Sequence, residues 1–267
     1  MEPFRDLNAL FLNPELPSCA LTFAGALLED TVPGYTTLNV TGRETISDDL
    51  STTGSVPGRD GTHVIARALP ARVLGIEYRL TAPDAQQLQE AFRELRAVLD
   101  APGKITFADD PGIAYFGQLS DMSEVPPYTN DLIGTFAIFC ADPYKYETNA
   151  KTHTGNPKAI PQPSPYAVPP DEVKVTLATA AAGAAIKNIT TGRQIILTGA
   201  FLAGDIIRFT PQAVNLALRL TVNGQAAMAR LDYLASDFGA FTIKSGDTIT
   251  ATPADAAMSV TLRGRWK

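Results

Sequence analysis

The sequence predicts a mainly β protein with two domains: an α+β first domain, in which one amphipathic helix packs on a β-sandwich, and an all-β second sandwich. Short runs of alternating apolar and polar residues recur along most of the chain, as half-buried strands require. Only residues 83–99 have the apolar spacing of an amphipathic helix. A crowded group of prolines separates the two patterns. We therefore expect domains at 1–148 and 171–267, joined by residues 149–170.

Composition is typical of a globular protein, because 45% of the 267 residues are hydrophobic and 19% are charged. No apolar run is long enough to cross a membrane as a helix, and we expect no membrane insertion. Residues 1–17 lack a basic segment followed by an apolar block, which predicts no signal peptide and synthesis in a cytoplasm. Cys19 and Cys140 are expected as unpaired buried thiols, although a disulfide between them stays open.

The first domain begins with two predicted strands, at 21–23 and 37–40, separated by a Pro-Gly step. Residues 41–62 are rich in glycine and hydroxyl side chains and are predicted as a loop. Its Asp60-Gly61 step could form the turn of a long hairpin. Residues 64–82 are rich in strand patterns, and the cleanest alternation runs from Val73 to Leu80.

One helix is predicted after these strands. Pro83 suits the first helical position, and Asp84 suits the first turn, where a carboxylate faces the positive end of the helix dipole. The apolar stripe recurs every three or four residues and ends before Pro102-Gly103. Its members are Leu88, Phe92, Leu95 and Leu99.

The first domain is predicted to close with three strands. Those at 104–107 and 113–119 form a hairpin around a turn at 109–112. The apolar run within 130–146 predicts a strand that is buried on both faces or nearly so. This strand ends at Pro143, because proline cannot donate a backbone hydrogen bond.

Residues 149–170 contain six prolines and are predicted as a stiff linker or extended arm. After them the pattern is all-β, with short alternating runs between Gly-Asp, Asn-Gly and Ser-Gly turns, as in a β-sandwich. Only residues 226–234 could form a helical turn. The predicted strands are VKVTL, QIILTG, DIIRFT, LALRLTVNG, FTIKSGDTITATP and MSVTLRGRW.

Charge is distributed unevenly between the two halves. Residues 1–149 contain 10 Lys and Arg against 21 Asp and Glu, a net charge of −11. Residues 150–267 contain 12 against 7, a net charge of +5. The acidic first half argues against nucleic-acid binding by that half, and the basic excess of the second half is scattered.

No motif predicts catalysis, a metal or a cofactor. His63 and His153 do not cluster with cysteines as zinc ligands do, and neither stands in a context that predicts a nucleophilic site. Adjacent acids at 48–49 and 109–110 are expected as solvated turn residues. Trp266 is expected in the core or at a sheet edge rather than as a sugar platform. The other aromatic residues of the second domain are expected in its core: Phe201, Phe209, Tyr233, Phe238 and Phe241.

Several short motifs follow one another in a distinctive order. The first half has Gly-Arg-Asp-Gly-Thr at 58–62, the amphipathic helix, Gly-Lys-Ile-Thr-Phe at 103–107 and Cys-Ala-Asp-Pro-Tyr-Lys-Tyr at 140–146. The second half contains Gly-Ala-Phe, Gly-Asp, Asp-Tyr, Ser-Asp-Phe and Ser-Gly-Asp steps and ends in Arg-Gly-Arg-Trp. In this order the chain resembles the distal tail proteins of long-tailed, non-contractile bacteriophages, from about Leu21 to Trp266.

The resemblance implies a structural protein of the virion, not an enzyme, located at the tip of the phage tail. Members of this family form a hexameric ring whose first domains surround a channel, with galectin-like second domains outside. The ring joins the tail tube protein above to the tail-associated hub protein below. In some members the outer domain contacts receptor-binding proteins or host saccharides.

Two sets of residues follow as hypotheses. Acids of the first domain could line the channel and repel the DNA in transit; the candidates are Asp48, Asp49, Asp60, Asp109 and Asp110. The resemblance also implies that a structural motif closes the first domain; its residues are Asp142, Pro143, Tyr144, Lys145 and Tyr146. Two alternatives remain: a saccharide-binding adhesion module, and an enzyme such as a cell-wall hydrolase, for which the sequence shows no acid pair or metal site.

Overall fold

The computed structural model describes residues 16–54, 58, 60–124, 126, 128–161, 164–213 and 215–267. These residues divide into two units: one ends at Thr148 and also takes in Lys267, and the other runs from Asn149 to Trp266. Most of the N-terminal segment predicted not to be a signal peptide lies outside the described residues, as does Arg59 of the Gly-Arg-Asp-Gly-Thr motif.

The first unit is built around one antiparallel sheet. Seven strands follow in the order β2-β1-β7-β8-β9-β6-β3, β10 joins β8, and β4 and β5 form a separate two-stranded sheet. The elements are β1 (Leu21–Phe23), β2 (Ala26–Leu27), α1 (Leu28–Thr31), β3 (Tyr35–Thr41), β4 (Asp49–Thr52), β5 (Val64–Ala68), β6 (Arg72–Thr81), α2 (Ala85–Val98), β7 (Gly103–Phe107), β8 (Asp110–Met122), β9 (Asp131–Cys140) and β10 (Lys145–Glu147).

The centre of this sheet is the pair β6 and β9. They pair without interruption from Arg72 opposite Cys140 to Thr81 opposite Asp131. Because side chains alternate along a strand, one face of the pair buries apolar residues and the other does not. The buried set includes Leu74, Ile76, Tyr78, Leu80, Leu132, Phe136 and Ile138.

Helix α2 covers this buried face, as the sequence predicts. Leu88, Ala91 and Leu95 are its buried residues, and Leu99 after its end is buried too. Asp84 is the N-cap rather than a residue of the first turn, since its Oδ1 accepts a hydrogen bond of 2.8 Å from the backbone N–H of Gln87. Pro83 therefore precedes the cap.

Three predictions for the first unit need correction. β9 is not buried on both faces: its burial alternates, and Ile133 and Phe139 on one face are 63% and 38% exposed. The turn predicted at 109–112 is shorter, since β8 already begins at Asp110. The predicted loop 41–62 contains strand β4, which pairs with β5 as a hairpin.

The second unit consists of two antiparallel sheets, ordered β11-β20-β13-β16-β17-β18 and β12-β19-β14-β15. Its strands are β11 (Lys151–Thr154), β12 (Lys158–Ala159), β13 (Glu172–Thr176), β14 (Ala181–Asn188), β15 (Gln194–Phe201), β16 (Ile206–Phe209), β17 (Leu220–Val222), β18 (Gln225–Ala226), β19 (Thr248–Thr252), β20 (Ala257–Leu262) and β21 (Arg265–Trp266). Together with the first unit, this confirms the predicted fold class: mainly β, with one main helix.

The proline-rich segment 149–170 is not a linker or free arm in this structure. β11 pairs with β20 from Lys151 opposite Leu262 onward, and β12 pairs with β19. Asn156, between these strands, holds the turn: its Nδ2 donates to the carbonyl oxygen of Ala251 at 3.0 Å, and its Oδ1 accepts from the N–H of Ala251 at 2.8 Å. The segment can pair because β11 and β12 contain no proline, so every residue in these strands keeps the backbone N–H group that a sheet requires.

Other details of the second unit also differ from the prediction. β14 has no large alternating side chains before Ile186, which explains why the sequence pattern misses it. Within the predicted helical turn, residues Met228–Arg230 form a short 3-10 helix. Of the aromatic residues predicted in the core, Phe201, Phe209 and Phe241 are buried, Phe238 is half-buried and Tyr233 is 64% exposed.

Candidate assembly surfaces and the domain exit

The arginine that begins β6 is buried and ties three segments of the first unit together. Arg72 is 2% exposed. Its Nε donates to the carbonyl oxygen of Pro143 at 2.9 Å, and its Nη1 donates to those of Gly42 at 2.6 Å and Arg43 at 2.8 Å. Among the described residues Nη2 has no hydrogen-bond partner. Arg72 thus joins the chain after β3 to the chain after β9.

The position of Arg72 in its strand predicts burial, although arginine side chains are usually exposed. Arg72 is two residues before Leu74, so the period of a strand places it on the buried face. Gly42 allows the close approach: it has φ +82°, and a Cβ atom there would lie 2.1 Å from the carbonyl oxygen of Val73.

The structure brings the predicted domain-exit residues into one turn beside Arg72. Asp142 Oδ1 accepts a hydrogen bond of 3.1 Å from the N–H of Tyr144, and Asp142 Oδ2 accepts one of 2.6 Å from the hydroxyl of Tyr146. The ring of Tyr146 meets that of Phe116 edge to face, 6.0 Å between centroids. The turn is therefore held by side-chain contacts within the first unit.

An ion pair connects the same turn to the segment after β3. Lys145 Nζ lies 2.8 Å from Glu44 Oε2, and this ammonium group lowers the pKa of the Glu44 carboxyl below its usual range. The lysine side chain is largely buried, whereas Glu44 remains mostly exposed.

Two of the five acids proposed for a channel wall are neutralised by neighbouring arginines. Asp109 Oδ2 lies 2.7 Å from Arg43 Nη1. The guanidinium carbon of the same arginine lies 4.4 Å from the ring centre of Phe107. Asp48 forms an ion pair with Arg67, which lowers the pKa of that carboxyl.

The other three acids lack such a neighbour. Asp49, Asp60 and Asp110 form no ion pair within the described ranges. Asp49 and Asp60 belong to the β4–β5 hairpin, and Asp110 begins β8. Which acids line a channel stays a prediction.

The first unit has two exposed apolar surfaces that the sequence pattern does not predict. The hairpin surface consists of Leu50, Val64 and Ile65, which are 55%, 57% and 68% exposed. The sheet groove lies around Phe116 and Phe139, 39% and 38% exposed, on the uncovered face of the main sheet. It has a volume of about 480 Å³, and Lys104, Gln118 and Asp142 also line it.

The residue types that bind metal ions do not cluster in the described residues. No group of three or more His, Cys, Asp and Glu side chains could hold a metal ion in this part of the chain. Within the same residues no helix is long and apolar enough to span a membrane. Cys19 and Cys140 are both free thiols, and burial raises the pKa of Cys140 to about 11.

The second unit shows polar side chains that stabilise its loops. Asn188 Nδ2 donates to Asp247 Oδ2 at 2.8 Å, and both residues are buried. Arg263 donates to both carboxylate oxygens of Asp171, at 3.0 and 3.1 Å. Trp266, in β21, is half-buried. Among the described aromatic residues of this unit, Tyr233 is thus the exposed one on which a sugar could stack.

Each of the two units matches a domain family of known phage tail proteins. Residues 30–139 match the phage tail protein RIFT-related domain, and residues 165–266 match the C-terminal domain of the siphovirus-type tail component. The crystal structure of the Dit protein of phage SPP1, described as a paradigm of the hub adsorption apparatus of phages that infect Gram-positive bacteria, superposes with a TM-score of 0.75. The two share 17% sequence identity over 91% of this chain and 98% of that one.

Weaker structural matches come from the activated baseplate of phage P2. The form with Ca gives a TM-score of 0.49 at 8% identity, over 86% of this chain and 90% of that one. The form with Sr gives 0.48 at 9% identity, over 85% and 90%. No curated protein sequence matches the chain.

The two domain matches, in this order along one chain, define a tail component of siphoviruses. The fold of the SPP1 Dit protein agrees with that of this chain over 91% of the chain's length. The chain belongs to the siphovirus distal tail proteins.

Proposed function

We propose that this chain is a structural, non-enzymatic virion protein that forms a hexameric ring at the distal end of the tail. In this proposal the ring connects the tail tube protein above to the tail-associated hub protein below, and the genome passes through its channel. The observation that carries the proposal is the series of two tail-domain matches over residues 30–139 and 165–266. The protein would be made in the host cytoplasm and act at the tail tip.

The uncovered apolar surfaces of the first unit support assembly as the mechanism. Exposed contiguous apolar patches on a folded unit commonly mark protein interfaces. Contacts between unlike patches of identical chains are heterologous, and they generate a closed ring when the rotation between copies divides a full turn.

Charge supports the passage of DNA through such a ring. The net charge of −11 on residues 1–149 would be repeated in every copy. An acidic wall repels phosphates, so the genome would slide without being retained. Because Asp48 and Asp109 are neutralised by arginines, Asp49, Asp60 and Asp110 carry this hypothesis.

The test is the mass and shape of the purified full chain, measured by native mass spectrometry and negative-stain imaging. We expect a hollow six-fold ring, and a cryo-EM map of it should show an acidic bore. A chain that remains monomeric at all concentrations would overturn the ring. A neutral or basic bore would overturn only the role of the acids.

One observation favours the alternative of a saccharide-binding adhesion module: the exposed Tyr233 in the second unit. Aromatic side chains can stack on sugar rings, and this one is not part of the core. Binding of cell-wall glycans by the wild type, lost in Tyr233→Ala, would support that function, and equal binding by both proteins would exclude this residue from it.

A further inference from the structure

We infer that the hairpin surface of one copy packs into the sheet groove of the neighbouring copy. This inference rests on the proposed ring and names the two surfaces that join its copies. The hairpin surface is formed by Leu50, Val64 and Ile65, and the groove is bordered by Phe116 and Phe139.

The register of the hairpin places Leu50 and Val64 on one face. Leu50 lies opposite Arg67, and Thr52 lies opposite Val64, with a register shift between the two pairs. Cross-strand partners share a face, and so do residues two apart on one strand. Val64 therefore shares the face of Leu50 through Thr52. Ile65 is the extra residue at the register shift, where alternation is interrupted and Val64 and Ile65 together oppose Thr52.

The described residues leave this face without a cover. β4 and β5 hydrogen-bond only to each other among the described strands, and every residue of both strands is exposed. An isolated two-stranded hairpin is only marginally stable in water, and stability requires a further packed layer. The hairpin therefore needs a partner from outside its own unit.

The groove has the complementary properties. It is a concave site of about 480 Å³ on the uncovered face of the sheet, and Val73, which pairs with Phe139, adds a further half-exposed apolar side chain beside it. Phe116 and Gln118 are exposed and two apart on β8, so both face the groove, whereas Gly117 between them faces the buried side of the sheet. Lys104 and Asp142 supply a polar rim.

A second copy of this chain is the occupant because one unit offers both a projecting apolar face and a recessed one. The two surfaces consist of different residues, so their contact is heterologous and repeats from copy to copy. Each copy would then cover one neighbour's groove and have its own groove covered by the other neighbour. An isologous contact through either surface alone would stop at a dimer.

The test compares assembly of the wild type with a Val64→Thr, Ile65→Thr variant of the full chain. Threonine keeps the branched shape and strand preference but removes apolar surface. We expect native mass spectrometry to show a dissociation constant of the ring raised at least about 100-fold, with an unchanged melting temperature of the monomer. Val73→Thr, beside the groove, should weaken the ring in the same direction.

The matched control is Ile189→Thr, which makes the same change at a half-exposed isoleucine of the second unit and should leave the ring intact. If the wild type forms the ring and the hairpin variant forms it equally well, the docking is wrong while the proposed function stands. If the wild type never forms a ring, both are wrong.

A second measurement identifies the two surfaces directly. After oxidation, a mixture of Ile65→Cys with Gln118→Cys should give disulfide-linked pairs that neither variant forms alone. Cross-linking by Ile65→Cys alone would indicate an isologous contact and would overturn the inference.

Discussion

The Nε atom of Arg72 donates a hydrogen bond of 2.9 Å to the carbonyl oxygen of Pro143, 71 residues further along the chain. The same guanidinium group binds the carbonyl oxygens of Gly42 and Arg43. A single buried cation therefore holds the turn that follows β9. The charge of Arg72 is offset by three carbonyl dipoles rather than by a carboxylate. Its stabilisation therefore depends on the positions of these three carbonyl oxygens.

Replacing Arg72 by methionine should destabilise the first unit by about 3 kcal/mol, because three half-buried carbonyl groups would lose a buried charged donor. Urea denaturation of the purified chain measures the change. Arg79→Met is the matched control: Arg79 is on the same strand, on the exposed face, where it pairs with Asp131. This control should unfold at nearly the wild-type urea concentration. Equal effects of the two substitutions would contradict the role of Arg72.

The domain-exit turn should also contribute to stability. We expect the triple variant Tyr144→Ala, Lys145→Ala, Tyr146→Ala to lose about 2 kcal/mol, since it removes a ring contact, an ion pair and a hydroxyl hydrogen bond. Tyr146→Phe keeps the ring and should lose about 1 kcal/mol. Differential scanning calorimetry measures both. A triple variant that melts and assembles normally would show that the motif has no structural role.

The ion pair between Lys145 and Glu44 should make stability depend on pH. The pKa of Glu44 is lowered in the folded state, so its contribution is fully present above the unfolded pKa of about 4.3 and is lost as the pH falls through the folded value. Because Glu44 is largely solvent-exposed, Glu44→Gln should cost at most about 0.5 kcal/mol at pH 7.

Urea denaturation at pH 7 and pH 3 checks this sign. The difference between wild type and Glu44→Gln should disappear at the lower pH. Glu94→Gln, at an exposed position of α2, controls for the loss of one surface charge. A Glu44→Gln effect that grows in acid would contradict the assignment.

Both cysteines should be recovered as free thiols. Burial raises the pKa of Cys140 to about 11, so only about one thousandth of it is thiolate at pH 8. Iodoacetamide should therefore alkylate Cys140 in the unfolded chain and leave it unmodified in the folded one, as read by intact mass. A native mass lower by two hydrogens would instead demonstrate a Cys19–Cys140 disulfide.

The sequence predicts most of the fold because alternation and helical spacing report local burial. The stripe from Leu88 to Leu99 identifies α2, and the alternation from Val73 to Leu80 identifies most of β6. The pattern is weakest where side chains are small, as in β14, and where both faces are exposed, as in β4. Neither strand has the apolar alternation from which burial is inferred.

The candidate site is less predictable, because the sequence does not state which face another element covers. The run from Leu132 to Cys140 is apolar on both sides, which suggests full burial; only the structure shows that Ile133 and Phe139 remain exposed. Likewise the pairing of Asp109 with Arg43 joins residues 66 positions apart and has no local signature. The burial of Arg72, by contrast, can be predicted from the sequence, because it stands two residues before Leu74 in the alternating pattern of β6.

The pairing of β11 and β12 has a practical consequence for anyone who wishes to express the second unit alone. A chain that starts at residue 171, where the proline pattern ends, would lack both strands and would expose the edges of β20 and β19. Unpaired edges promote aggregation, so such a fragment should be poorly soluble. A cut between Thr148 and Asn149 keeps β11 and β12 with the second unit and coincides with the boundary between the two units.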